Sequence, residues 1–250
     1  MRTLFITGTD TNVGKTWTTC TLLQLLADHG IAVGACKPVC SGAEFRTDGS
    51  PVWADVEALR SHCPLNPPET LVCPRRFLAP LAPNLAAKLE QTTITHHDLI
   101  AAIAAWQPHC QTLLIEGAGG LYCPLTDDCT VFDLIRKLRT PSIVVAANRL
   151  GVISHTRMTV ELLQRSGLPV PGIILNDAQP PDSRNDDRST EYNAAQLSHW
   201  LPSIPLLRST WDSRQLTLLT PGSTPIANLT EWLQFATHSA DFDLATAEMD

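Results

Sequence analysis

The chain is expected to be α/β: a doubly wound, mainly parallel sheet flanked by helices in a single domain. Three observations lead there. Short apolar runs of strand length alternate with stretches of helical length, and parallel strands need crossovers of that kind. The 250 residues, 44% of them hydrophobic, suffice for one substantial core and sit at the upper end for a single domain. A glycine turn at 8–16 falls between the first apolar run and the first helical stretch, as in the opening of a βαβ unit.

The elements follow in order. An apolar run at 3–7 gives a strand, 15–29 a helix and 32–36 the second strand. Strand-like runs return at 112–115, 142–147 and 170–175, with a short one near 204–207; helical stretches lie between them at 98–106, 154–166 and 189–200. Two segments break this alternation. Residues 63–84 carry six prolines and read as a long loop, and 178–188, with Pro180, Pro181 and several Asp and Asn, reads as a solvated excursion. The domain is expected over 1–238, with the acidic stretch 239–250 fraying as a disordered tail.

Composition excludes several classes of partner. Lys and Arg total 18 against 25 for Asp and Glu, a net charge of −7, so the overall field repels DNA, RNA and anionic membranes. No apolar stretch approaches the ~18–20 residues that span a bilayer, and the apolar start is too short for a signal peptide, so a cytoplasmic location is expected. The eight cysteines show neither a CxxC pair nor matching His spacing. They are expected to be reduced, buried thiols, with neither a zinc site nor a disulfide framework.

Any phosphate bound by so acidic a chain needs a local device, and the turn GTDTNVGKT supplies one. Backbone N–H groups of such a loop point at a phosphate chain, and the helix start adds partial positive charge. Lys15 can then reach the terminal phosphates, and the Thr16 hydroxyl can ligate Mg²⁺. Five residues separate Gly8 from Gly14 where the common pattern has four, which points to a particular family.

Four further motifs name that family. They are Lys37-Pro38-Val39-Cys40-Ser41-Gly42, Glu116-Gly117-Ala118-Gly119-Gly120 after an apolar strand, Leu150-Gly151 before a helix, and Asn176-Asp177 at a strand end. With the GTDT-x-VGKT loop they resemble the signature of the dethiobiotin synthetases, a P-loop NTPase family, from residue 3 to about 177. The resemblance implies an ATP-dependent, Mg²⁺-using ligase of biotin biosynthesis, which closes a cyclic urea from 7,8-diaminononanoate and CO₂ or bicarbonate. A carbamate and a carbamic-phosphoric anhydride are its intermediates. It also implies a homodimer with the active site at the interface.

Carried over residue by residue, the resemblance implies that Asn12, Val13, Gly14, Lys15, Thr16 and Trp17 hold the nucleotide, together with Asp55, Glu116, Gly117, Ala118, Gly119, Asn176 and Asp177. Thr16, Asp55 and Glu116 are the implied metal ligands. Lys37, Lys15 and Thr11 are the implied catalytic groups, and Thr11 and Ser41 hold the substrate's polar end. Gly151, Val152, Ile153 and Ser154 of the partner subunit are implied to hold its far carboxylate, where a helix start suits an anion and Ser154 suits an N-cap. Asn176 offers a donor and an acceptor to an adenine edge, favouring ATP; an asparagine that merely closes a strand is the ordinary alternative. Ligands of open α/β sheets sit at the carboxyl ends of strands, and one crevice there would collect these groups.

Three positions depart from the family pattern: Asn12 stands for Glu, Ser154 for Asn, and Leu207-Arg208-Ser209-Thr210-Trp211 for a Gly-x-Ile-Pro segment beside the base. Two other functions compete. A cobyrinate-type amidoligase would want a glutamine amidotransferase domain, for which no Cys, His and Glu arrangement is visible. A ParA- or MinD-like ATPase switch would carry its signature lysine at position 10, which is Asp10.

Overall fold

In a computed structural model of the chain, residues 1–180, 187–223 and 226–237 are described. The elements, in order, are β1 (Arg2–Gly8), α1 (Lys15–Asp28), β2 (Val33–Cys36), β3 (Val39–Ser41), β4 (Glu44–Phe45), β5 (Pro51–Val52), α2 (Ala54–His62), α3 (Glu69–Val72), β6 (Arg75–Phe77), α4 (Pro83–Leu89) and α5 (His96–Ala104). They continue with β7 (Thr112–Gly120), α6 (Val131–Leu138), β8 (Ser142–Ala147), α7 (Val152–Arg165), β9 (Gly172–Asn176), α8 (Ser189–Trp200), β10 (Leu206–Ser209), β11 (Leu216–Thr220) and α9 (Leu229–Thr237).

Seven strands form one sheet in the order β11, β10, β9, β8, β1, β7, β2. All neighbours are parallel except β10 and β11. The central strands are near-continuous apolar runs because helices cover both faces; β8 is buried at all six positions. The doubly wound expectation therefore holds. Closest contact comes where glycine replaces a side chain, as at Gly34 of β2, where a β-carbon would lie 2.4 Å from the Trp106 ring.

Helix starts are fixed by local chemistry. Thr95 with Asp98 and Thr130 with Asp133 form reciprocal capping boxes at α5 and α6. The box at Thr95 explains why α5 begins before residue 98. No helix among the described residues is long and apolar enough to cross a membrane. All eight cysteines are free, seven of them buried.

Several boundaries differ from expectation. Residues 63–84 are not one long loop. Their prolines bound short elements: α3, then β6, which pairs parallel to β3 through Val39 and Arg75, then α4, with Pro83 in its first turn where a missing N–H costs nothing. The strand expected at 112–115 runs on to Gly120, and the one near 204–207 is shifted to Leu206–Ser209. Helix α7 starts at Val152, before Ser154, because the left-handed Gly151 (φ 93°) turns the chain into the helix. The segment 239–250 and most of 178–188 lie outside the described residues.

Candidate active site

The loops at the carboxyl ends of β1, β2, β7 and β9 surround one cleft of about 1000 Å³. Its floor begins with the turn after β1. Asn12 adopts a positive φ of 58°, which asparagine tolerates better than most residues, and Gly14 has φ 95°. Gly14 caps α1, so Lys15 and Thr16 open the helix with side chains lining the cleft. Lys15 Nζ donates to the Asp10 carbonyl at 2.9 Å, folding back over its own loop. Burial lowers its pKa to about 8; Lys37 pushes the same way, while Glu116 and Asp55 partly oppose the shift.

Lys37 follows β2 and lines the same cleft. Its ammonium is 2.9 Å from Glu116 Oε1 and also contacts Asp55 Oδ2. Burial alone would lower the Lys37 pKa, but the carboxylates of Glu116 and Asp55 outweigh it and hold the ammonium well above its ordinary value. Asp55, in the first turn of α2, likewise resists burial: Lys37 keeps its carboxyl below the usual range.

Glu116 is only 1% exposed and sits behind the lysines rather than on the cleft surface. Thr16 Oγ1 stands 2.8 Å from Glu116 Oε1 and 2.8 Å from Asp55 Oδ1, and Thr19 donates to Glu116 Oε2 at 2.7 Å. One hydroxyl hydrogen cannot serve both carboxylates. Three hard oxygens gathered around one point suit a small divalent cation that also takes phosphate and water ligands. Among the described residues no group of three or more His, Cys, Asp or Glu side chains forms a dedicated metal cage.

Of the other anticipated residues, Thr11, Asn12, Trp17, Ser41, Ala118, Gly119, Asn176 and Asp177 line the cleft. Ser41 donates its hydroxyl hydrogen to the Leu81 carbonyl at 2.6 Å and keeps its lone pairs. Val13 is buried, and a β-carbon at Gly117 would meet Phe5 and Val131, so both support the floor from below. Asn176 Nδ2 donates one of its two amide hydrogens to the Val13 carbonyl at 3.0 Å, which fixes the side chain against the loop. Asp177 accepts from Asn148 at 2.8 Å and from Arg208 at 3.0 Å.

Gly151, Val152, Ile153 and Ser154 do not line this chain's own cleft. Ser154 is not the cap it was expected to be: it lies within the first turn of α7, and Gly151 holds the N-cap without a side-chain hydrogen bond. The sequence reading missed Thr19, Cys123, the wall at 80–83 and Asp212, whereas Thr210 and Trp211 belong to the segment expected beside the base and do line the cleft. Thr19 had a signal, since it lies one helical turn after Lys15 and shares its face.

A glycine turn between a parallel strand and a helix, with lysine and hydroxyl at the helix start, defines a P-loop nucleotide-binding protein. Residues 2–210 match the family described as an AAA domain. The chain is 39% identical over 212 residues, 85% of its length, to the ATP-dependent dethiobiotin synthetase BioD of Anaeromyxobacter dehalogenans (strain 2CP-C), covering 91% of that protein. It is 36% identical over 207 residues, 83% of its length, to the protein of the same name from Bacillus subtilis (strain 168), covering 86% of it. The chain belongs to the ATP-dependent dethiobiotin synthetase family, a family of ligases.

Proposed function

We propose that this chain uses ATP to close dethiobiotin, a cyclic urea, from 7,8-diaminononanoate and CO₂ or bicarbonate, as a cytoplasmic step of biotin synthesis. The observation that carries the reading is the convergence of Lys15, Lys37, Thr16 and Asp55 on one cleft, with Glu116 directly behind them. In the proposed sequence one substrate amine takes up CO₂ as a carbamate, releasing a proton. A carbamate oxygen then accepts the γ-phosphoryl group and ADP leaves. The second amine attacks the carbonyl carbon of the anhydride and gives up a proton, phosphate departs with its bonding electron pair, and the five-membered ring closes.

The chain's residues supply position and charge rather than a covalent intermediate. Lys15 exchanges its contact with the Asp10 carbonyl for phosphate oxygens. Lys37, held as an ammonium, is unsuited to act as a base; it orients and stabilises the carbamate and the transferring phosphoryl oxygens. Thr11 and Ser41 hold the diamine's polar end by hydrogen bonds. The formal charges of Lys15, Lys37, Asp55 and Glu116 cancel. A Mg²⁺ held by Thr16, Asp55 and Glu116 would supply the surplus positive charge that stabilises the phosphoryl group and disfavours protonated substrate amines.

We further propose a homodimer in which residues 151–154 of one subunit reach the diamine's far carboxylate in the other. Support comes from their position away from the cleft of their own chain. Exposed Leu150, Met158, Tyr192 and Trp200 also lie on or beside α7 and α8. The test is phosphate release from ATP, Mg²⁺ and bicarbonate as 7,8-diaminononanoate is added. Release that rises with the diamine is expected, and hydrolysis indifferent to it contradicts the proposal.

A further inference from the structure

The two oxygens of the buried Glu116 carboxylate keep different company. Glu116 lies within β7, in register with Ile6 of β1. Its Oε1 meets groups that line the cleft, the Thr16 hydroxyl at 2.8 Å and the Lys37 ammonium at 2.9 Å. Its Oε2 meets neither; among the described residues its one partner is the Thr19 hydroxyl, at 2.7 Å.

Thr19 sits one helical turn after Lys15 on α1 and is fully buried. Its hydroxyl has a local alternative, because the Lys15 carbonyl is 3.0 Å away and threonines inside helices commonly bond back to that position. The single hydroxyl hydrogen goes instead to the carboxylate, which is both nearer and charged. That bond holds Oε2 inside the fold and leaves Oε1 as the oxygen offered to the point shared by Thr16 and Asp55. Without the hydroxyl, a buried Oε2 has no donor and no water, and swinging toward the cleft is its way to find a partner.

The number of oxygens a carboxylate offers bears on which ion it suits. Mg²⁺ demands near-ideal octahedral geometry, whereas Ca²⁺ accepts carboxylates through one oxygen or both. We infer that Thr19 is a positioning residue: by pinning Oε2 it makes Glu116 a one-oxygen ligand and biases the site toward Mg²⁺ over Ca²⁺. The inference rests on the proposal that Thr16, Asp55 and Glu116 hold the ion that accompanies the nucleotide. Thr19 does not line the cleft, so its effect passes through Glu116.

The test compares the natural chain with Thr19→Val, which keeps the shape and loses the hydroxyl, and Thr19→Ser, which keeps the hydroxyl. Thr18→Val is the control. Thr18 is equally buried on the same helix, and its hydroxyl has no hydrogen-bond partner among the described residues. Affinity for the non-hydrolysable analogue β,γ-imido-ATP is measured calorimetrically in EDTA, in Mg²⁺ and in Ca²⁺, so the gain over EDTA reports the bound ion without turnover. Thr19→Val is expected to cut the gain from Mg²⁺ by about tenfold or more, the usual effect of removing a group that orients a metal ligand, and the gain from Ca²⁺ by less. Thr19→Ser should restore the Mg²⁺ gain, and Thr18→Val should leave both gains alone. In diamine-dependent phosphate release, Thr19→Val should lower kcat in Mg²⁺ while the KM for the diamine holds. A natural chain that gains nothing from Mg²⁺, an undiminished Mg²⁺ gain in Thr19→Val, equal losses for the two ions, or the same losses in Thr18→Val overturns the inference. Should Thr19→Val fail to fold, Thr19→Ala is read by the same criteria. If the diamine elicits no phosphate release, the proposed reaction fails, and the calorimetric gains still decide the role of Thr19.

Discussion

Gly14 and Asn176 are packed so closely that a β-carbon on residue 14 would lie 2.0 Å from Asn176 Nδ2. The contact joins the loop after β1 to the end of β9, across β8. Gly14 also has φ 95°, so alanine there meets both a left-handed backbone penalty and a clash. Gly14→Ala is expected to lose about 2 kcal/mol or more of stability by denaturant titration. In an Asn176→Ala background the loss should shrink, because the clash is gone and the backbone penalty remains. Equal losses in the two backgrounds would show that the contact carries no energy.

Lys37→Ala removes the cation between two carboxylates. Glu116 keeps the hydroxyls of Thr16 and Thr19, so it is not stranded. The cost should be about 1–3 kcal/mol, below the 3–5 typical of a broken buried pair, with Tm falling by several degrees while the fold persists. Turnover should drop by at least about a hundredfold through kcat, since Lys37 is proposed to stabilise charge that develops during transfer. Near-normal turnover in a folded Lys37→Ala protein removes Lys37 from the chemistry.

Thr16→Val keeps the shape of the side chain and deletes the oxygen that stands 2.8 Å from both Asp55 and Glu116. The Mg²⁺ concentration for half-maximal activity should rise more than about tenfold while Tm changes little. An unaltered Mg²⁺ requirement would separate Thr16 from the metal.

Of the eight thiols, Cys123 is the one that is partly exposed, and it lines the cleft. Burial pushes Cys20 up to about 12 and Cys40 up to about 11. Burial raises Cys123 as well, with Lys15 partly opposing it, so access separates the groups: the other seven thiols are covered in the native state. Native protein titrated with a disulfide reagent near neutral pH should yield one prompt equivalent, at Cys123, and eight after unfolding. ATP with Mg²⁺ should slow the first. Several prompt equivalents in the native state would contradict the packing around α1 and β3.

The opening βαβ unit, the sheet class and the lysine of the phosphate loop were legible because each follows from local periodicity or from a short contiguous motif. Lys37 was also legible, as a residue just past a strand end; Glu116 was expected just past a strand and lies within β7. What each side chain touches was not. The tie from Asn176 to the Val13 carbonyl spans 163 positions in the chain, and no local pattern reveals that contact. Residues 63–84 misled for a different reason. Their six prolines suggest irregular chain, yet all but Pro80 fall next to an element boundary or in a first turn, where proline is tolerated. At the start of α7, a serine with good capping chemistry outweighed a glycine whose left-handed backbone sets the helix start.

The central claim is that the cleft joins one inorganic carbon to two amines at the expense of one phosphoryl group. The most direct measurement supplies ¹³C-bicarbonate, 7,8-diaminononanoate, Mg²⁺ and ATP, and follows the labelled carbon by NMR alongside phosphate. The account predicts a ring carbonyl that retains the label and accumulates one for one with phosphate. Phosphate accumulating while the label stays in bicarbonate would contradict it.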